Sequence, residues 1–577
     1  MRRDDLIRPH AGRLLACLLL IPGAAVAELR ISDIDRELER NIRTYVALAS
    51  EPCDAEAWRI RRRFRNVEKE TREALQPFGY YSPAVSATLE MRDECWHVDL
   101  DVVPGEPVRL RDIDIDIRGE AAEDPAFAEL EPTGLTAGAR LRHADYERYK
   151  QSIQVLAADR GYIDAEFVRS RLDVWPDELA ADVTLHFESG ARYRLGDIRQ
   201  EQDFLDPAVV SGYLDLEEDT PFDGRELARA YRDLSDSGYF GRVEIVPLHE
   251  QADDGRIPVR VTLTPGTRIE YTVGVGASTD TGPRFRAGFR NNRLNPDGHR
   301  LITDLNVSTA LKGLSGEYRM PLTDPRSDWM SYTAALTRET VDTFDNDTAR
   351  VGLRRSKRLN PAWIRTLSFD VTYESYTVAT ERDNSLLVLP GIAFDHKFAN
   401  RDLYPNRGRR LGIELIGTSR ALGSGTSFAQ VKAFTRWVRG LGENSRLIAR
   451  ATAGTTLKSE FDELPPSVRF FAGGDESIRG FAYESLGPED DEGNVIGGSN
   501  LLVASIEVER RIRGNYFGAV FADAGNAFDD VDVDPAAGAG FGIKWRSPLG
   551  PVRVYVGFPL TGEESGPRLH IRLGPDL

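Results

Sequence analysis

The strongest constraint on the fold is an alternation of apolar and polar residues through residues 269–577, more than half of the chain. In one such run, Leu367 and Phe369 alternate with Ser368 and Asp370. A period of two residues is typical of β-strands, and turn sequences such as the Asn-Pro-Asp-Gly stretch at 295–298 separate the runs. The segment therefore predicts an all-β structure with many antiparallel strands.

A water-soluble β-sandwich and a membrane-spanning β-barrel both produce this alternation, and three features favour the barrel. The polar faces carry Asp370 and Arg436 among Thr and Ser, which suits a water-filled lumen. The aromatic residues Trp363, Tyr373 and Trp437 stand toward strand ends, as in an interfacial girdle. The third feature is an export sequence at the N-terminus. At about 19 residues per strand with its turn, the segment holds about 16 strands, and about 14 to 18 would also fit.

Residues 1–27 have the pattern of a signal peptide. Basic residues precede a short apolar run that ends in Ala25-Val26-Ala27, which is typical of a cleavage site. The run is too short to cross a bilayer as a helix. We therefore predict export. After cleavage two cysteines remain, Cys53 and Cys95, which either pair in an oxidising compartment or stay as thiols.

Three copies of one supersecondary pattern fill the chain between the signal peptide and the alternating segment. A Gly-Tyr pair recurs at Gly79-Tyr80, Gly161-Tyr162 and Gly238-Tyr239, each time after a helical pattern and before a strand pattern. A second strand then closes each copy. Each copy is thus predicted to run strand, helix, helix, strand, strand, an α+β layer with its helices on one sheet face.

These patterns divide the chain into five parts. The predicted parts are a signal peptide at 1–27, three repeats at 28–105, 106–190 and 191–266, and a barrel at 267–577. The edge strands of small sheets expose unpaired backbone N–H and C=O groups, to which an extended chain can add as a further strand. We expect the repeats to bind polypeptide in this way.

Charge and motif content exclude several classes of function. The net charge of −18 argues against nucleic-acid binding, which needs a basic surface. The eight histidines are scattered without the spacing of metal ligands, and the sequence holds neither a nucleophile elbow nor a phosphate-binding P-loop. The sequence predicts no metal site, no cofactor and no enzymatic activity.

One long stretch, residues 458–498, does not alternate, and a loop of this length is usually functional. It contains Arg479 next to Gly480, and the strands that follow it carry Glu507 and Asp523. Taken alone, Arg479 would be an exposed arginine in a mobile loop. However, a guanidinium is a planar fork suited to paired carboxylates. A loop folded into the lumen would let Arg479 bind one or both of them.

In their order along the chain, these motifs resemble the outer-membrane protein insertase superfamily that includes BamA and TamA. The motifs are Gly473-Gly474, Ile478-Arg479-Gly480-Phe481, Ala504-Ser505-x-Glu507, Phe521-x-Asp523-x-Gly525 and Ser547-Pro548-Leu549-Gly550-Pro551. The repeats resemble the superfamily's POTRA domains (polypeptide-transport-associated modules). Three repeats and the ending at 573–577 resemble the TamA group (translocation and assembly module subunits), because BamA usually has five. Ile478 replaces the valine that is common in the family's loop motif.

The resemblance implies three periplasmic POTRA domains of β-α-α-β-β order and a 16-stranded transmembrane antiparallel barrel whose first and last strands meet in a weak seam. The implied seam residues are Ile269, Tyr271, Val273, Leu569, Ile571, Leu573, Gly574 and Pro575. Pro575 lacks an N–H donor and truncates the pairing of the last strand. The implied lumen motif is Ile478, Arg479, Gly480 and Phe481, with Glu507 and Asp523 as partners.

The function implied by the resemblance is that of an insertase in the outer membrane of a Gram-negative bacterium. It would assemble autotransporters and other β-barrel proteins by lateral opening of the seam. Implied partners are unfolded outer-membrane proteins, outer-membrane lipids and a TamB-like periplasmic protein anchored in the inner membrane. The alternatives are a polypeptide secretion pore of the two-partner type and a component of a lipid-transport bridge. A barrel enzyme such as a lipase is disfavoured, because no nucleophile with its base can be found.

Overall fold

The structure is a computed structural model, and it describes residues 28–92, 95–278, 281–379, 381–401, 404–458, 460–529, 534–547, 550–562 and 566–573. The predicted signal peptide at 1–27 and two predicted seam residues, Gly574 and Pro575, lie outside this part of the chain. Two compact units are present. Among the described residues, the first unit extends to Leu195 and includes Asp219–Gly224 and His249–Ile257, and the second consists of Gly196–Glu218, Arg225–Leu248 and the chain from Pro258 onward.

The first repeat is a three-stranded sheet with two helices against one face. Its elements are β1 Glu28–Ile31, α1 Arg36–Tyr45, α2 Ala57–Leu75, β2 Ala84–Arg92 and β3 Cys95–Val103. The central strand β3 pairs with β1 in parallel and with β2 in antiparallel orientation. Alternate residues of β3 are buried, among them Trp96 and Val98, and they pack against Ile42 and Ile60 of the helices.

The second and third repeats use the same order of elements. The second comprises β4 Arg109–Arg118, α3 Pro125–Ala128, α4 His143–Arg160, β5 Glu166–Trp175 and β6 Ala180–Glu188. The third comprises β7 Arg194–Glu201, α5 Pro207–Leu214, α6 Gly224–Asp236, β8 Phe240–Pro247 and β9 Arg256–Pro265. In each sheet the last strand along the chain lies in the middle, in the orders β4-β6-β5 and β7-β9-β8. The predicted α+β order is therefore confirmed. The third repeat is divided between the two compact units, and the predicted domain boundaries stay a prediction.

The recurring Gly-Tyr pair ends the second helical segment of each repeat. Gly79, Gly161 and Gly238 have φ angles of 89°, 84° and 77°, in the left-handed region that costs glycine little and other residues much. The tyrosine that follows begins the return to the sheet, and Tyr162 and Tyr239 are buried there. The repeat detected in the sequence thus marks a helix end.

The second unit contains a 16-stranded sheet, in which each strand is hydrogen-bonded to the next along the chain. Its strands are β10 Ile269–Ser278, β11 Gly282–Asn291, β12 Arg300–Val307, β13 Leu311–Pro321, β14 Asp328–Thr340, β15 Phe344–Asn360, β16 Trp363–Val378, β17 Glu381–Ala399, β18 Arg407–Thr418, β19 Phe428–Gly440, β20 Ser445–Lys458, β21 Asn500–Arg513, β22 Tyr516–Phe528, β23 Ala536–Ser547, β24 Gly550–Pro559 and β25 Arg568–Leu573. All of these pairs are antiparallel, as in the registers of β10 with β11 and of β24 with β25. The prediction of a 16-stranded antiparallel barrel is confirmed.

Side chains alternate across the barrel wall as the sequence pattern requires. Phe369 and Tyr373 of β16 are about half exposed on the outer surface, at 49% and 50%. Thr372 and Glu374 of the same strand are fully buried on the inner side. None of the helices in the described ranges is both long enough and apolar enough to cross a membrane.

The barrel is nearly closed. Cα atoms of β10 and β25 come within 8 Å of each other. Over the described residues, however, no register of paired residues joins these two strands, and they are the two ends of the sheet order. The last strand is also short, and it pairs with β24 only from Val552↔Leu573 to Gly557↔Arg568.

Candidate functional site in the barrel lumen

The non-alternating stretch between β20 and β21 folds back into the barrel. Its apolar residues Phe470, Ala472, Ile478 and Phe481 form a buried cluster with inward-facing strand residues such as Val503. Ile478 and Phe481, on either side of the Arg-Gly pair, have exposed fractions of 0% and 1%. Burial of this apolar surface holds the loop inside the lumen.

Arg479 is 3% exposed and is bound by the two predicted carboxylates. Its Nε and Nη2 donate to the two oxygens of Asp523, over 2.7 and 2.8 Å. Its Nη1 donates to Oε2 of Glu507 over 2.7 Å, and Nη2 also reaches the Ser505 hydroxyl at 3.2 Å. The guanidinium lies over the Phe521 ring, 3.4 Å from its centroid. The fork geometry and the aromatic support together fix the side chain.

The backbone around Arg479 approaches the barrel wall so closely that only glycine fits. Gly480 has a φ of 109°, and a Cβ there would lie 2.9 Å from the carbonyl carbon of Phe558. On the facing strand, a Cβ at Gly538 would lie 2.0 Å from the Arg479 carbonyl oxygen. The glycines therefore permit the loop to lie directly against β23 and β24.

Further charged residues extend this arrangement, which we call the lumen cluster: Arg446, Arg479, Glu507, Glu509, Asp523 and Lys544. Lys544 lies 2.8 Å from Glu507 and also binds Glu509, which in turn binds Arg446 at 2.6 Å. The Tyr555 hydroxyl donates to Glu507 over 2.9 Å. Each buried carboxylate faces at least one cation, which is the condition for keeping charges out of water.

A second group of polar contacts joins the loop to the last strand. Gly480 donates its N–H to Nε2 of His570, over 3.0 Å, and Nδ1 of the same ring lies 2.5 Å from Asp475. Glu476 forms ion pairs with Arg572 of β25 and with Arg436 of β19. The sequence predicted three of the six residues of the lumen cluster, Arg479, Glu507 and Asp523, but not the other three, Arg446, Glu509 and Lys544. The contacts of Asp475, Glu476, His570 and Arg572 were also missed. Alternation could have placed Glu509 and Lys544 inside, but not together.

The predicted seam residues lie on the two edge strands. On β10, Ile269, Tyr271 and Val273 are exposed on the outer surface at 43%, 76% and 71%. On β25, Leu569 is exposed at 45% and Ile571 is half-buried. Leu573 is the last residue of β25. The exposed side chains among them, those of β10 and Leu569, face away from the lumen.

Cys53 and Cys95 form a disulfide with 4.7 Å between their Cα atoms. It joins the segment before α2 to the start of β3 in the first repeat. Its place is therefore within the first α+β layer and not in the lumen.

Comparison with known proteins assigns both ends of this architecture. Residues 266–575 match the Omp85 superfamily domain, and residues 28–104 match the first POTRA domain of TamA. Outer membrane protein assembly factor BamA of Nitratidesulfovibrio vulgaris is 23% identical over 440 residues, which are 72% of this chain and 55% of that protein. BamA of Neisseria meningitidis serogroup B is 23% identical over 592 residues, covering 88% of this chain and 72% of that protein. The chain thus spans little more than half the length of the first of these relatives.

Among solved structures, the crystal structure of Haemophilus ducreyi BamA lacking POTRA domains 1–3 is similar in fold. Its TM-score is 0.69 at 17% sequence identity, and the match covers 81% of this chain and 99% of that one. At this identity the likeness concerns the fold alone.

Proposed function

The chain belongs to the Omp85 superfamily and is an outer-membrane protein, and we propose that it inserts unfolded outer-membrane proteins, autotransporters among them, into the membrane by opening between β10 and β25. Lateral seam residues would be those on the two edge strands, from Ile269, Tyr271 and Val273 to Leu569 and Ile571. The observation that carries this proposal is the absence of paired residues between these strands over the part of the chain that the structure describes.

Unpaired backbone groups at the edge of the barrel sheet would favour pairing with a substrate strand. An unpaired N–H or C=O group costs several kcal/mol in the hydrocarbon region, so membrane-spanning strands need partners. The edge of β10 facing β25 has ten residues without a strand partner, Ile269–Ser278. A substrate strand that paired there would satisfy its own backbone groups and those of β10 together. The short strand β25 pairs with β24 on one side only. It therefore obstructs an incoming substrate strand less than a strand paired on both sides would.

The lumen cluster would brace the barrel during this opening. Arg479 attaches the loop to β21 and β22 through Glu507 and Asp523, and Lys544 of β23 is in the same cluster. These strands would keep their positions while the seam moved. The cluster contains no nucleophile–base pair, and we assign it a structural role and not a chemical one.

We further propose that the chain is TamA-like in its partners. The match of residues 28–104 to the first POTRA domain of TamA supports this assignment. In that case the second and third repeats are also POTRA domains. A TamB-like periplasmic protein would then bind the repeats, with outer-membrane lipids surrounding the barrel. The edge strands β1 and β2 of the first sheet are available for strand addition.

The test is a disulfide across the seam. Cysteine pairs that combine Tyr271 or Val273 with Leu569 or Ile571 would be oxidised in the full-length protein, and insertion of a radiolabelled autotransporter barrel into proteoliposomes would be measured. We expect insertion to fall to background when the pair is oxidised and to return on reduction.

The matched control is a cysteine pair at Ala287 and Leu305, which already face each other in the β11–β12 register. This pair should leave insertion unchanged in both redox states. Undiminished insertion with an oxidised seam would contradict lateral opening and would favour passage of the polypeptide through the lumen.

A further inference from the structure

The last strand of the barrel is held more by side chains than its short backbone ladder would suggest. On its inner side, His570 is 1% exposed and makes two hydrogen bonds to the loop that carries Arg479. Two residues further on, Arg572 pairs with Glu476 of the same loop. The contacts of His570 and Arg572 therefore end on one segment, residues 475–480.

The hydrogen bonds define the state of the imidazole. A ring nitrogen that accepts the Gly480 N–H carries no proton, so the proton of the neutral ring is on Nδ1. Nδ1 then donates to the Asp475 carboxylate. This arrangement satisfies both ring nitrogens of a histidine that is closed off from solvent. It also joins the strand to the residue adjacent to Arg479.

The segment 475–480 is itself fixed to the barrel. Arg450 of β20 donates to the carbonyl oxygens of Asp475 and Ser477, over 2.9 and 3.3 Å. The Arg479 N–H donates to Asp523 over 3.0 Å. The loop segment thus has one set of contacts to β20–β22 and another set to β25. It links the last strand to the lumen cluster through hydrogen-bonded side chains.

We propose that His570 is a positioning residue that latches the last strand to the Arg479 loop, so that β25 moves away from β10 only when residues 475–480 release it. The seam and the lumen cluster would then form one mechanical unit, in which a shift of the loop loosens β25. This inference rests on the proposed lateral opening. It adds the device that keeps the seam shut between insertion events.

The experiment measures the seam directly in the full-length protein. Nitroxide labels at Val273→Cys and Leu569→Cys report the distance between β10 and β25 by double electron–electron resonance in lipid bilayers, without substrate. Cys53 and Cys95 are bonded to each other and do not take the label. His570→Phe keeps a ring of similar size but removes both hydrogen bonds, and Asp475→Ala removes one of them from the loop side.

We expect either substitution to raise the fraction of long seam distances about tenfold, since a hydrogen bond to a charged group is worth about that factor. Asp475→Asn retains an acceptor for Nδ1–H and should stay close to the parent. Combining His570→Phe with Asp475→Ala should add little to His570→Phe alone, because His570→Phe already removes the contact with Asp475.

The matched control is His396→Phe, at another buried histidine of the barrel wall, on β17. It should leave the seam distances unchanged, and a heat-modifiable band on gels verifies that each variant is folded. Unchanged distances in both His570→Phe and Asp475→Ala would overturn the latch, even if an oxidised seam still blocked insertion. Conversely, insertion that persists through an oxidised seam would refute the proposed function while leaving the latch measurement intact.

Discussion

Two regions of the barrel wall are held together very differently. Around β21, β22 and β23, buried cations and carboxylates alternate at distances such as 2.7 Å between Arg479 and Asp523. At the junction of β10 and β25, the part of the chain that the structure describes shows neighbouring strands without a shared ladder. Both regions lie within the second compact unit.

This difference indicates how the chain distributes its rigidity. Buried ion pairs are poor at adding net stability, but they are costly to break one partner at a time. They therefore suit a part of the wall that must keep one arrangement. A junction without ladder bonds has little to lose on separation. If the proposed function is right, the lumen cluster supplies the fixed frame against which the seam moves.

The substitution expected to have the largest effect on this contrast is Arg479→Ala. It leaves Asp523 and Glu507 buried with fewer partners, and loss of one member of a buried pair costs about 3–5 kcal/mol. We expect the free energy of unfolding in denaturant to fall by this amount and insertion to fall with it. Unfolding of the barrel in lipid or detergent, followed by tryptophan fluorescence, measures the first effect.

The control for this variant is Arg338→Ala. Arg338 pairs with Asp347 at 2.5 Å, but both side chains are about half exposed or more, at 63% and 50%. An exposed pair contributes under about 1 kcal/mol. If Arg479→Ala lowered the free energy of unfolding no more than Arg338→Ala, the stability of the wall around β21–β23 would not depend on the lumen cluster.

The second test adds a single methyl group where the loop contacts the frame. A Cβ at Gly538 would lie 2.0 Å from the Arg479 carbonyl oxygen, so Gly538→Ala must push the loop or β23 aside. Overpacking of this kind costs about 1–3 kcal/mol. The same replacement at Gly316 of β13, where a Cβ meets nothing within 4 Å, should be nearly neutral. Equal unfolding midpoints for the two variants would show that the loop does not press on the wall.

Much of this architecture could be predicted from the sequence because local sequence patterns determine it. Alternation gave the barrel strands, and the Gly-Tyr pairs gave the helix ends of the repeats, since only glycine adopts φ near 80° at little cost. Arg479, Glu507 and Asp523 were predicted as partners from motif order, and the structure brings them together.

The remaining contacts depend on long-range register, which local patterns do not contain. His570 is 95 residues from Asp475, and its spacing to other histidines only argued against a metal site. Lys544 of β23 meets Glu507 of β21 because each of these strands pairs with β22 in a particular register. A shift of one residue in either strand would place one of these side chains in lipid instead.

A smaller effect than that of Arg479→Ala is expected from Tyr555→Phe, which tests whether the lumen cluster extends to β24. The Tyr555 hydroxyl donates to Glu507 over 2.9 Å. Its removal should lower the free energy of unfolding by about 1.5–3 kcal/mol, as for other hydrogen bonds to charged groups. Relaxation of the neighbouring side chains would reduce this loss. Urea or guanidinium unfolding against the parent checks this value, and Tyr373→Phe, at an exposed tyrosine on the outer surface, is the control. Similar losses in both variants would place Tyr555 outside the cluster.

The last test concerns an ionic contact in the first unit, between Asp124 and Arg160, whose side chains are 4% and 16% exposed. Asp124 of the second repeat binds Arg160 through two 2.9 Å hydrogen bonds and accepts a third from Tyr162 at 3.2 Å. Burial by itself would raise the pKa of Asp124, but the hydrogen bonds from Arg160 and the Ala126 N–H outweigh it and lower the pKa below its usual value.

A carboxylate whose folded-state pKa is lowered stabilises the fold above its unfolded-state pKa and loses that contribution as the pH falls. Acidification below about pH 4 should therefore loosen the second repeat. Hydrogen–deuterium exchange of α4 peptides in the full chain, each normalised to the unfolded chain at the same pH, measures this change. Asp124→Asn should remove the pH dependence, whereas the barrel strands around Arg479 should show the same protection at both pH values. A pH response confined to the barrel would contradict this expectation, because it would show that the lumen cluster titrates more easily than Asp124.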